Sequence, residues 1–168
     1  MVSLNADVES QWAQVENVYQ SRMDKTKNLM EIVKGAANFE KETLTEIVQA
    51  RSNAGSVKLQ ASEINDESLA KFQKAQDQFS GALSKLMVVV EKYPDLKAVE
   101  AFRDFQAQYE GMENRITVER GKFNDVSKSF NTYIATFPNN TVAGMFGFHK
   151  KPYFTAAAGA EKAPDVKF

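Results

Sequence analysis

Apolar residues return every three or four positions from the start of the chain: Leu4, Val8, Trp12, Val15 and Tyr19. The pattern thins across Asp24-Lys25-Thr26-Lys27-Asn28 and resumes at Leu29, Ile32, Val33, Ala36, Phe39, Leu44, Ile47 and Val48. Such spacing places one apolar stripe on one helix face. It predicts one helix from about Ser3 to Arg51, kinked at the polar stretch or at Gly35 and roughly 70 Å long. The alternative is a break at Asp24 to Asn28, which makes four helices instead of three. Ser52 to Asn65, with Asn53, Gly55 and Ser56, reads as a connection. Asn65 or Asp66 is placed to cap the helix that follows.

That second helix carries Leu69, Phe72, Ala75, Phe79, Leu83, Leu86 and Val90 and runs to about Lys92. Pro94 ends it, because proline disfavours helical geometry in the residue before it. The third helix starts with Pro94 or Asp95 in its first turn. Its stripe is Leu96, Val99, Phe102, Phe105, Tyr109, Met112, Ile116, Phe123, Val126, Phe130, Tyr133 and Phe137. A link this short forces the second and third helices antiparallel. The fold class is therefore all-α, an antiparallel bundle of three to four long helices with a short irregular aromatic tail. Residues 1–137 form the bundle, and residues 138–168 dock on it as part of the same domain.

Length arithmetic adds two expectations. The second helix spans about 40 Å against roughly 70 Å for the first. The first twenty or so residues then lack a partner, leaving Leu4, Val8, Trp12 and Val15 more exposed than the rest of the stripe. The third helix should overshoot at the opposite end. Beyond Thr141, glycines, Pro152 and several aromatics predict a compact non-helical segment or short turns, with Phe146, Phe148 and Phe154 docking on the bundle.

Composition narrows the function classes. Basic and acidic side chains number 21 and 22, a balance that argues against broad electrostatic binding to nucleic acid or to anionic lipid. Hydrophobic residues make up 43% and charged residues 26%, ordinary for a globular domain. Twelve Phe point to a core filled by aromatic rings. The absence of Cys excludes disulfides, thiolate nucleophiles and Cys-ligated metals. No apolar run approaches the roughly 20 residues of a membrane span, and Met1-Val2-Ser3-Leu4-Asn5 does not resemble a signal peptide.

Candidate chemistry is sparse. His149 is the only histidine, so multi-His zinc sites cannot form, and it sits in the aromatic tail beside Lys150. No Glu-x-x-His motif of the di-iron bundles occurs. Glu110 with Glu113, and Glu40 with Glu42, pair carboxylates on charged helices, where solvated faces explain acids more often than chemistry does. The Glu113-Asn114-Arg115 block reads as a buried Asn or Arg bonded across helices, a device that fixes register. Gly111 and Gly121 cost about 1 kcal/mol each inside a helix, and close approach of a neighbouring helix is the expected compensation. Asn139-Asn140-Thr141 matches a glycosylation acceptor without further support. Gly144 and Gly147 lack the Gly-Lys-Ser/Thr of a phosphate loop. Lys150 and Lys151 could touch lipid headgroups but supply only about 2 kcal/mol. No catalytic residue, cofactor or metal site is assigned.

Several segments, in order, resemble the LemA family of bacterial proteins. They are Trp12-Ala13-Gln14-Val15-Glu16-Asn17-Val18-Tyr19, Asn28-Leu29, Val33-Lys34-Gly35, and Ala50-Arg51 before Ala54. Tyr93-Pro94-Asp95-Leu96-Lys97, Glu110-Gly111 and Glu113-Asn114-Arg115-Ile116 follow. Phe137-Pro138, Phe146-Gly147-Phe148 and Pro164-Asp165-Val166-Lys167-Phe168 complete the set. One departure is Asp24-Lys25-Thr26-Lys27, where the family usually has an apolar stretch with proline. The resemblance implies one N-terminal transmembrane helix directly before this chain, so that the chain is a fragment beginning at the membrane boundary with Met1 as an added start. It implies a bacterial membrane location, with the helical domain on the cytoplasmic rather than the periplasmic side. A magnetosome-membrane protein among the family's relatives favours a membrane-organising role. The expected function is a non-enzymatic, membrane-tethered interaction or scaffold domain, contacting a protein partner or a second copy. The alternatives are a regulatory or adaptor subunit of a membrane enzyme such as a protease, and, more distantly, a carboxylate-only hydrolase.

Overall fold

Along the first helix, Val8, Trp12, Val15, Tyr19, Arg22, Thr26, Leu29 and Val33 are all buried, in alternating steps of four and three. A spacing that averages 3.5 residues keeps one seam facing its neighbours, as in coiled coils. The seam passes straight through the polar stretch, because Arg22 and Thr26 stand in step with the apolar residues. The same alternation runs through Leu69, Phe72, Gln76, Phe79, Leu83, Leu86 and Val90. These seams assemble an all-α fold in the computed structural model, which describes residues 1–36 and 39–156. The helices are α1 (Val2–Lys34), α2 (Lys41–Ser56), α3 (Asp66–Val90), α4 (Pro94–Ala98), α5 (Glu100–Ala135) and α6 (Asn139–Met145), with a 3-10 turn at Ala61–Glu63.

The predicted first helix is two helices, and the break is not at Asp24 to Asn28. α1 ends at Lys34, where the Gly35 N–H bonds back to the Glu31 carbonyl, and α2 starts at Lys41. Just beyond the turn, Phe39 packs on Tyr93 with ring centroids 4.9 Å apart. This reversal inverts the direction of everything after it. Contacts of Glu46 with Lys85 and of Ala54 with Gln76 set α2 antiparallel to α3. Contacts of Gln11 with Glu119 and of Arg22 with Glu113 set α1 antiparallel to α5. α3 and α5 are antiparallel as expected, through Asp77 with Arg120 and Ser84 with Tyr109.

Because α5 descends along α1, its C-terminal half covers the N-terminal half of α1. Val8, Trp12 and Val15 are buried, and only Leu4 is half-exposed. The stripe expected to be bare is core. The two overhangs lie at the same end and cover each other.

Smaller boundaries follow local chemistry. Asn65 caps α3: its side chain accepts from the Ser68 N–H at 3.0 Å, and the Ser68 hydroxyl accepts from the Asn65 N–H at 2.9 Å. α2 runs to Ser56, so the connection is shorter than read. The third helix begins at Pro94 but is interrupted at Val99, whose backbone is extended (φ −64°, ψ 123°), and it ends at Ala135. Of the segment after Thr141, the residues up to Met145 belong to α6, while residues 146–156 are a turn and irregular backbone, as expected.

The interior divides in two. One apolar core joins Leu29, Val33, Ile47, Phe79, Leu86 and Phe102, among others, from α1, α2, α3 and α5. The other joins Val8, Trp12, Phe72, Phe123, Phe130 and Phe154, with Leu59 and Ile64 from the connection. Here the connection and the returning tail take the place that α2 holds at the other end.

Candidate functional site

Between the two cores lies a polar layer. Arg22 is fully buried. Its Nη1 donates to Glu113 Oε1 at 2.9 Å and to the Ser80 hydroxyl. Its Nη2 donates to Gln76 Oε1 at 2.7 Å and to the Gln76 carbonyl at 3.1 Å. The rings of Tyr19 and Phe79 lie 5.2 and 5.0 Å from the guanidinium carbon, adding cation–π attraction. Nε has no acceptor among the described residues. A second arginine, Arg120, lies against the rings of Tyr19 and Phe154, donating to the Tyr19 hydroxyl and, at 2.7 Å, to Asp77. Burial pushes the Tyr19 phenol above its ordinary range, against the pull of Arg120. The hydrogen bonds that the two arginines make go to the protein itself, so the layer fixes how α1, α3 and α5 meet.

The sequence reading gave this buried polar role to Asn114 or Arg115. Both are exposed, and Glu113 fills it. Its partner Arg22 was missed, although the four-and-three count from Val15 and Tyr19 to Leu29 runs through it. Glu40, Glu42 and Glu110 are exposed, as is His149. Nothing lies within 4 Å of a Cβ built at Gly111 or Gly121, so no neighbouring helix approaches either one. Phe148 and Phe154 dock, with Phe154 buried beside Trp12 and Phe123. Phe146 does not dock.

The tail is held by side-chain amides that sequence reasoning did not single out. Asn131 gives and takes a bond with the backbone of Lys151 at 2.8 and 2.7 Å. Asn124 does so with Phe154 at 2.9 and 2.8 Å, and Gln73 with Thr155 at 2.7 and 3.2 Å. Each amide substitutes for the neighbouring strand that an extended segment otherwise needs.

On the outside of the α1–α5 seam, Asn17, Ser21, Lys25, Gln108, Gly111 and Arg115 line an open groove of about 420 Å³, floored by Val18 and Met112. Two of the segments singled out in the sequence therefore meet at one surface, and the missing side chain at Gly111 leaves that surface open. The model of the LemA family matches residues 11–168. The chain belongs to the LemA family. Among curated relatives, Protein LemA of Metamycoplasma hominis is 32% identical over 77% of this chain and 55% of its own length. Magnetosome protein MamQ 2 of Paramagnetospirillum magneticum is 34% identical over 45% of this chain and 28% of its own. Magnetosome protein MamQ of Magnetospirillum gryphiswaldense is 32% identical over the same shares. The aligned part thus spans about half or less of each relative. The matching C-terminal residues 164–168 lie outside the described residues.

Proposed function

We propose that this LemA-family chain is a non-enzymatic interaction domain tethered to a bacterial membrane, with the helices on the cytoplasmic side. In this reading it presents the α1–α5 groove to a protein partner or to a second copy. The groove carries the reading: Asn17, Lys25, Gly111 and Arg115 contribute little to the cores, yet they come together at one accessible place. A glycine in mid-helix with open space above it is unfavourable for the monomer and favours close approach from outside. The magnetosome names of two relatives support the link to a membrane compartment.

The test is a photo-crosslinking residue at Gln108 of the full-length protein in its native membrane, with a control at Val88 on α3. Adducts from Gln108 alone that disappear in Gly111→Trp support the reading, and sedimentation of the purified protein separates a second copy from a different partner. Equal adducts at both positions, or adducts indifferent to Gly111→Trp, refute the groove. Protease added to the cytoplasmic face of inverted vesicles should cleave the domain, and protection there refutes the assigned side.

A further inference from the structure

From Ser129 to Phe148 the chain contains no charged side chain, although charged residues make up 26% of the whole. This run covers the end of α5, the turn into α6 and all of α6, and it is bracketed by Lys128 and by His149-Lys150-Lys151. Phe130, Ile134 and Phe148 pack into the core, but three other large apolar side chains of the run do not. Phe137 is 81% exposed, Met145 78% and Phe146 72%. The start of α1 reaches the same end, since Asn5 and Glu9 share a groove with Phe146, Phe148 and Lys150. There, too, Met1 to Ala6 carry no charged side chain, and Val2 is exposed.

We infer that this end of the bundle, formed by the α5–α6 corner and the first turn of α1, seats in the headgroup–acyl boundary of an anionic bilayer. Three features favour lipid over a protein partner. Protruding apolar side chains on a turn and a two-turn helix fit a fluid apolar medium, whereas protein anchors fill pockets. Exclusion of charge from the α5–α6 corner, Ser129 to Phe148, is what the cost of burying ions in hydrocarbon demands. The exposed Lys150, with Lys151 beside it, stands where the apolar run ends, at the height where an interfacial segment meets anionic headgroups. Tyr133 and Tyr153, both partly exposed, have the amphipathic rings that concentrate at such interfaces. Acids at this end are Glu9 and Glu63, which line the groove on the side of α1 and the connection, and Asp66, which lines a second hollow with Thr136, Lys150 and Lys151. The inference shares the membrane with the proposed function, but it is read on this chain alone, without any anchor.

The chain lacks Cys, so single labels are clean. Met145→Cys and, as a control at the other end, Val88→Cys are labelled with an environment-sensitive fluorophore and mixed with vesicles of phosphatidylglycerol and phosphatidylcholine. The label at 145 should shift to the blue and become protected from aqueous quencher, while the label at 88 stays as in buffer. Flotation of the unlabelled chain should fall at least about tenfold in Phe137→Ser/Phe146→Ser, and by a similar factor in Lys150→Glu/Lys151→Glu. Unchanged circular dichroism establishes that these variants fold. No change at 145 up to millimolar lipid, equal changes at both positions, or flotation indifferent to both double variants overturns the inference. Crosslinking at Gln108 that persists when this result is negative leaves the proposed function standing, so the two fail separately.

Discussion

The guanidinium of Arg22 and the carboxylate of Glu113 meet at 2.9 Å between two apolar cores. Arg22 is closed off from water, while the Glu113 side chain keeps about a third of its surface in contact with it, at 31% exposure. The pair therefore ties α1 to α5 with one end dry and one end wet. Gln76 and Ser80 of α3 also accept from the arginine, so three helices share one polar register mark.

Removing the arginine should destabilise strongly. Arg22→Ala leaves Glu113 and Gln76 without their partner and opens a void, an expected loss of about 3–5 kcal/mol. Glu113→Ala removes the partly solvated member, with an expected loss of about 1.5–3 kcal/mol. Replacing both by apolar residues, Arg22→Met with Glu113→Leu, should recover most of that, since a well-packed apolar pair often equals a buried ion pair. Urea denaturation of the wild type, both alanine variants and Arg22→Ala/Glu113→Ala gives the coupling. Additive losses would show that the pair does not act as a unit.

The helices, the cap at Asn65 and the stop at Pro94 were legible because each rests on local chemistry: apolar period, side-chain capping and a ring-locked backbone. The turn after Lys34 was not, because Val33, Ala36 and Phe39 stay in step across it. Arg22 and Thr26 read as a gap for a related reason. Their partners, Gln76, Ser80 and Glu113, lie on other helices, and Thr26 bonds back to the Arg22 carbonyl. Missing that turn reversed the order of directions, and from it came the wrong expectation of a bare N-terminal stripe. The groove was legible only as unexplained residues, since Gly111 and Arg115 acquire a shared place through the α1–α5 register.

The core around Trp12 and Phe123 should fail when its tail is loosened. Phe154 lies 6.1 Å from Trp12 in a stacked pair and 5.5 Å from Phe123. Phe154→Ala should cost about 3–5 kcal/mol. The chain has a single tryptophan, so Trp12 emission should move to the red as water enters. Val8→Glu with Val15→Glu buries two unpaired acids and should lower the denaturation midpoint sharply. A midpoint unchanged in the double variant would mean that this face is not core.

Alkaline pH should weaken the fold through Tyr19 and Tyr109. Burial raises both phenols above the unfolded value, which is about 10. Between the unfolded and folded values the folded chain holds more protons, so unfolding free energy falls as pH rises. Their contribution is intact below about pH 10 and is lost above it. Tyr19→Phe with Tyr109→Phe should flatten that part of the stability curve, measured by denaturation between pH 8 and 11. An identical slope in the variant would rule out these two groups as its source.

The last expectation concerns Gly111 and Gly121, two mid-helix glycines that the fold itself does not require. A Cβ at either position meets no atom within 4 Å, and both residues are exposed on α5. Glycine loses more backbone freedom on folding than alanine, so Gly111→Ala and Gly121→Ala should each stabilise the domain by about 0.5–1 kcal/mol. The thermal midpoint should rise in each single variant, and the gains should add because the sites are well separated along the helix. The two should part company in function. Gly111 opens the α1–α5 groove, whereas Gly121 is not among the residues that line it. Gly111→Ala should therefore weaken the crosslinks formed from Gln108 in the membrane while Gly121→Ala leaves them unchanged. A gain in stability with no loss of crosslinks at Gly111 would assign the glycine no part in contact, and a loss of stability would mean that the helix needs it after all.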